Sequence, residues 1–255
     1  FPYLHISEDI ENQILTDNNA SVIKHTPEYK TNKSEITPTN RTITSLFSKE
    51  RFLFILRYSI AYVDTLKEVD GVEVRELQKH IMRYQQLFAT YAIKQKLSEG
   101  VRSGIIWHTQ GSGKTALAYY NVKHLTDYYS SLPDPIVPKF YFIVDRLDLL
   151  TQAKIEFEER GLSVNTVNNR EELTAQFRSQ TSIFNQQGKL EITVVNIQKF
   201  KEDQHKVKIE DYAINLQRIY FLDEAHRGYK PDGCFLANLF DSDRNAIKIA
   251  LTGTP

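Results

Sequence analysis

The sequence predicts an α/β fold with a mainly parallel sheet, preceded by a helical and irregular linker segment. Three observations predict it. From Ser103 onward, short runs that are apolar throughout alternate with amphipathic stretches, the pattern of strands covered on both faces by helices. A glycine-rich loop at 111–115, Gly-Ser-Gly-Lys-Thr, follows one such run and opens an amphipathic stretch. The other polar motifs also fall at the carboxyl ends of predicted strands, where open α/β sheets bind their ligands.

Taken in order, residues 1–44 read as a linker or the tail of an upstream domain. The stretch 18–44 is rich in Thr, Asn, Ser and Lys and is broken by Pro27 and Pro38. Residues 45–98 read as a helical lead-in. Phe52, Leu56, Ile60 and Val63 recur at helical spacing over 47–63, with Ser48 as an N-cap. Leu77, Ile81, Tyr84, Phe88 and Tyr91 do the same over 74–97. Residues 99–255 form the α/β domain proper. Its strands are expected at 104–108, 140–145, 192–196, 218–223 and 247–252, and its helices at 114–129, 147–160 and 171–184.

Composition sets the outer bounds. A chain of 255 residues, 41% apolar with 14 Phe and 14 Tyr, can bury a large core. No apolar run reaches the roughly 20 residues that a membrane-spanning helix needs, so the chain is expected to be soluble, with no membrane partner. Cys234 is the single cysteine, which excludes an internal disulfide framework and suits a reducing cytoplasm. A formal net charge of zero argues against a polycation that coats nucleic acid, yet allows a local basic groove. The chain begins at Phe1 without a signal-peptide pattern and stops at Pro255 just after an expected strand, so it reads as a piece of a longer protein.

The glycine-rich loop carries the most specific chemistry. In His108-Thr109-Gln110-Gly111-Ser112-Gly113-Lys114-Thr115, glycines let several N–H groups converge on one phosphate, and the helix N-terminus adds partial positive charge. Lys114 can reach the β- and γ-phosphates of ATP, and Thr115 can place its hydroxyl on Mg2+. The usual first glycine is replaced by His108. Farther on, Tyr220-Phe221-Leu222-Asp223-Glu224-Ala225-His226 reads as an apolar strand ending in two acids. Asp223 can hold Mg2+, Glu224 can orient or deprotonate an attacking water, and His226 lies where it could relay the presence of the γ-phosphate. A capping or packing role remains the plain alternative for His226.

Residues 110–115, 223–226 and 251–255 together resemble motifs I, II and III of the superfamily 2 helicases and translocases. More narrowly, Trp107–Lys114, Val144–Leu149 with Gln152, Asn196–Phe200 and Asp223–Arg227 resemble the motor (R) subunit of type I restriction enzymes. That resemblance implies a RecA-like motor domain at 99–255 that uses ATP and Mg2+. It implies double-stranded DNA as partner, with the second motor domain and the nuclease domain of the same chain, the modification and specificity subunits, and a bacterial or archaeal cytoplasm. Arg83-Tyr84-Gln85-Gln86 resembles the family's glutamine motif, whose glutamine reads the adenine edge; Gln86 is favoured over Gln85. The resemblance implies DNA-backbone contacts from Arg146, Gln198 and Lys199, and coupling of phosphate state to domain closure through Thr252 and Thr254. For Arg146, capping the helix that starts there stands as the alternative. Asn196 departs from the family's usual Thr, and Glu28-Tyr29-Lys30 is read as a coincidental match to a nuclease fragment. Another superfamily 2 helicase or remodeller is the runner-up, and a non-catalytic nucleotide-binding module the reading from a different class. Taken alone, the chain is expected to turn ATP over poorly.

Overall fold

The structure, a computed structural model, describes residues 8–17, 21, 49–167, 169, 171–173, 190–197, 215–223 and 243–253. The chain divides into two units, 1–60 and 61–255. In the first, helices α1 (Glu8–Asp17) and α2 (Lys49–Tyr58) are described. A hairpin comes next, β1 (Ile60–Val69) and β2 (Val72–Ile81), followed by α3 (Tyr84–Ser98).

Thereafter strands and helices alternate: β3 (Ser103–Trp107), α4 (Lys114–Ser130), β4 (Val137–Val144), α5 (Leu147–Glu159), β5 (Ser163–Val167), β6 (Glu191–Asn196), β7 (Leu216–Asp223) and β8 (Ile247–Thr252). The last six strands form one sheet in the order β3-β8-β7-β4-β6-β5, and every neighbouring pair is parallel. The parallel α/β architecture expected from the alternating runs is therefore present.

The inner strands β4, β6 and β7 are mostly apolar and buried along half or more of their length. On one face Phe140, Phe142, Ile219, Phe221 and Ile249 join the core with Leu117 and Leu125 of α4 and Phe157 of α5. On the other face Tyr141, Ile143 and Tyr220 are equally buried, and the two tyrosine rings stack at 5.0 Å. Helix α3 lies on α4, joined by a buried bond in which Asn121 Nδ2 donates to Thr90 Oγ1 at 3.2 Å. This fixes α3 relative to the helix that starts at the glycine-rich loop.

Two expectations are corrected, and a third lies mostly outside the described residues. The helix expected over 47–63 ends at Tyr58, and the one expected from 74 begins only at Tyr84; between them lies the β1–β2 hairpin. Its turn is Asp70-Gly71, with positive φ at both residues (53° and 79°), the backbone that a two-residue hairpin requires. The lead-in at 45–98 is thus helix, hairpin and helix rather than helical throughout. Strand β5 was not expected at all: it is an edge strand of sequence Ser-Val-Asn-Thr-Val, too polar to read as a buried run. Of the helix expected over 171–184, residues 171–173 are helical and the rest lies outside the described residues.

Candidate nucleotide site

Because the sheet is parallel, every strand ends on the same edge. The register pairs Trp107 with Thr252 and Asp223 with Leu251. The glycine-rich loop leaving β3, Thr252 ending β8 and Asp223 ending β7 therefore stand side by side. Asp223 lies two strands from the loop, roughly 10 Å at ordinary strand spacing. That leaves room for a phosphate chain between them.

The loop itself has the backbone its glycines were expected to permit. Gly111 and Gly113 have φ of 76° and 78°, and Gly113 is the N-cap of α4. Ser112 N donates to Thr109 O at 3.2 Å, closing the turn. Lys114 is buried, and Thr115, one residue into the helix, is half-buried. The first N–H groups of α4 have no carbonyl one turn back and face the loop, with the helix dipole behind them. Ser112 Oγ and His108 Nδ1 are buried without a hydrogen-bond partner. Orphaned polar atoms around a positive-φ glycine loop fit a bound phosphate group, which would supply acceptors where the protein supplies none.

His108, at the position usually occupied by glycine, is held below the usual histidine range, first by burial and then by the charge of Lys114, and so stays neutral at pH 7. The His108 backbone N–H donates to Thr252 O at 3.0 Å. Beside it, the Trp107 indole N–H donates to Gly253 O at 3.2 Å. A Cβ on Gly253 would lie 3.5 Å from Gln110 N, 3.6 Å from His108 O and 3.8 Å from Lys114 Nζ. The end of β8 is thus fastened to the loop at close quarters. Sequence reasoning quoted Trp107 but gave it no role, since a lone tryptophan before a loop carries no signal of its own.

Gln86, expected to read adenine, is buried at the first turn of α3. Its Nε2 donates to Gly113 O at 2.9 Å and Ser112 O at 3.4 Å, while its Oε1 accepts from Arg83 N at 2.8 Å. Arg83 Nη1 donates to Gly111 O at 3.1 Å. The side chain of Gln110 is exposed at the loop's crown.

Asp223 is half-buried at the end of β7, and Thr252 is 3% exposed. Thr115 and Asp223 carry side-chain oxygens of the kind that a magnesium ion prefers. Arg146 stands at the N-cap position of α5, but its side chain makes no capping hydrogen bond. Its half-exposed side chain keeps loose ion pairs to Asp145 (3.9 Å) and Asp148 (3.8 Å), which hold it weakly. Asn196 is buried at the end of β6. Glu224, His226, Gln198, Lys199 and Thr254 lie outside the described residues. No described helix is long and apolar enough to cross a membrane.

The chain is similar to an endonuclease subunit of a type I restriction enzyme from Staphylococcus saprophyticus, 28% identical over 98% of this chain and 24% of that protein. It is also similar to a putative type I restriction enzyme endonuclease subunit from Methanocaldococcus jannaschii, 37% identical over 42% of this chain and 10% of that protein. The chain spans about a quarter of the length of the first of these relatives. Among solved structures, an ATP-dependent Type ISP restriction-modification enzyme bound to DNA aligns over 74% of this chain and 14% of its own, with a TM-score of 0.49 and 14% identity. Residues 85–255, from the glutamine motif through the glycine-rich loop to the last strand, match the family model of the SWI2/SNF2 ATPases, and the chain belongs to that family.

Proposed function

We propose that this chain is the first motor domain of a double-stranded-DNA translocase within a type I restriction endonuclease subunit, and that it hydrolyses ATP to pull DNA toward a nuclease domain elsewhere in the protein. The observation that carries this reading is the strand order β3-β8-β7, which sets the glycine-rich loop, Thr252 and Asp223 along one edge. The restriction-enzyme names of the relatives support the narrower assignment over another superfamily 2 helicase or remodeller.

In this reading Lys114 and the N–H groups opening α4 bind and orient the β- and γ-phosphates. Thr115 and Asp223 would hold Mg2+, which when bound neutralises charge on those phosphates. Glu224 orients water for in-line attack, and His226 senses the γ-phosphate. Positioning and charge stabilisation carry the catalysis, with a second motor domain contributing an arginine across the cleft. Thr252, fastened to the loop through His108 N, and Thr254 couple phosphate state to domain closure. Arg146, Gln198 and Lys199 hold the DNA backbone without reading sequence. Modification and specificity subunits complete the complex, in the cytoplasm of a bacterium or archaeon.

The test is displacement of a third strand from linear DNA by the full-length protein with its partner subunits. Wild type should displace the strand only with ATP, and Lys114→Ala should not. Displacement by the variant at the wild-type rate would sink the motor reading.

A further inference from the structure

The geometry points to Arg83 and Gln86 as positioning residues that hold the phosphate loop in its anion-binding shape before any nucleotide arrives. This rests on the nucleotide reading above, but assigns these residues a task separate from base recognition.

The argument begins with peptide geometry. In a trans peptide the C=O of one residue and the N–H of the next point in opposite directions. Arg83 and Gln86 bind the carbonyls of three consecutive loop residues: Gly111 at 3.1 Å, Ser112 at 3.4 Å and Gly113 at 2.9 Å. Drawing the Ser112 and Gly113 carbonyls toward α3 turns the N–H groups of Gly113 and Lys114 the opposite way, into the hollow of the loop. The Ser112 N–H, turned by the Gly111 carbonyl, closes the loop onto Thr109 O.

The brace stands on a fixed footing. Gln86 Oε1 accepts from the Arg83 backbone N–H, which ties the Gln86 side chain to the start of α3. Thr90 Oγ1 donates to Gln86 O, and Asn121 of α4 donates in turn to Thr90. The helix that opens at the loop and the helix that braces the loop are thereby tied to each other. The fit is tight: a Cβ on Gly113 would lie 2.5 Å from Gln86 Nε2. Glycine at this position is needed for the brace as well as for its positive φ.

A brace and a base reader make different predictions. If Gln86 served adenine alone, its loss would weaken ATP and leave a base-free ligand untouched. A residue that shapes the loop must affect every ligand that the loop holds.

The experiment measures binding of ATP and of inorganic tripolyphosphate to the full-length protein by calorimetry, with melting curves as a folding control. Arg83→Ala and Gln86→Ala should each weaken both ligands by the same factor, on the order of 5- to 10-fold. Arg83→Lys, which can still donate to Gly111 O, should bind nearly as wild type. Gln86→Glu, which keeps the acceptor for Arg83 N but loses the donor, should fall with Gln86→Ala; this conservative pair decides the matter if the alanine variants melt early. Loss confined to ATP, or no loss for either ligand, overturns the inference and leaves the nucleotide site standing. Failure of the wild type to bind either ligand overturns the nucleotide reading and the brace with it.

Discussion

The two edges of the central sheet handle polar groups in opposite ways. At the amino edge the buried charges are closed on one another. Arg218 Nε donates to Asp243 at 2.6 Å, and Tyr220 OH donates to the same carboxylate oxygen at 3.0 Å. Burial first, and then the Asp243 charge, pushes the Tyr220 phenol far up, so it remains a donor throughout the physiological range. At the carboxyl edge His108 Nδ1 and Ser112 Oγ are buried with no partner, beside two positive-φ glycines. Native proteins rarely leave such atoms unpaired without a reason. The closed network serves the fold, and the two open atoms lie at the loop that we propose holds phosphate.

Substitutions can break this contrast from either side. The largest effect is expected at the closed edge. Asp243→Ala removes the buried carboxylate that Arg218 and Tyr220 both bond and should cost about 3–5 kcal/mol, read as a fall of roughly 10 °C in melting midpoint. Turnover of ATP per folded molecule should stay near wild type. At the open edge Lys114→Ala should lower ATP turnover by on the order of 10²- to 10³-fold while the melting curve barely moves.

A third test uses acid and follows α4 away from the loop. Burial first, then the charge of Lys94, lowers the pKa of His124 from 6.5 to about 4, with Asp127 opposing. The folded state keeps this imidazole neutral, whereas the unfolded chain takes up a proton below pH 6.5. Its contribution is therefore intact above about 6.5 and is lost as the pH falls toward 4, by up to about 3 kcal/mol. Denaturant titrations at pH 7 and pH 4.5 should show the decline, and His124→Gln should flatten it. The smallest effect belongs to Gly113→Ala. Left-handed backbone at a residue with a Cβ costs about 1–2 kcal/mol, and the same atom pushes Gln86 off the loop. Weakened tripolyphosphate binding with only a slight change in melting is the expected signature.

The open edge could be read from the sequence because its chemistry is local. Residues 108–115 carry strand end, glycines, lysine and helix start in one run, so no distant contact was needed to recognise them. Asp223 and Thr252 follow from the parallel sheet, once apolar runs identify β7 and β8. The closed edge could not be read this way: Arg218 and Asp243 are 25 residues apart and look like ordinary surface charges until the sheet brings them together.

The hairpin at 60–81 was missed for a different reason. Spacings of four, as from Leu77 to Ile81, are even numbers and fit one face of a strand as well as one face of a helix. The Asp70-Gly71 dipeptide was the deciding signal, since both residues tolerate the positive φ of a tight hairpin. The brace escaped notice because a glutamine beside an arginine has no signature until its amide is seen on a carbonyl 27 residues away.

The contrast between edges is tested most directly by measuring two quantities on two variants, ATP turnover per folded molecule and melting midpoint for Lys114→Ala and Asp243→Ala. The account predicts a clean crossing: turnover lost with stability kept in the first, stability lost with turnover kept in the second. If Lys114→Ala melts early and hydrolyses ATP at the wild-type rate, the carboxyl edge is not a nucleotide site and the account is wrong.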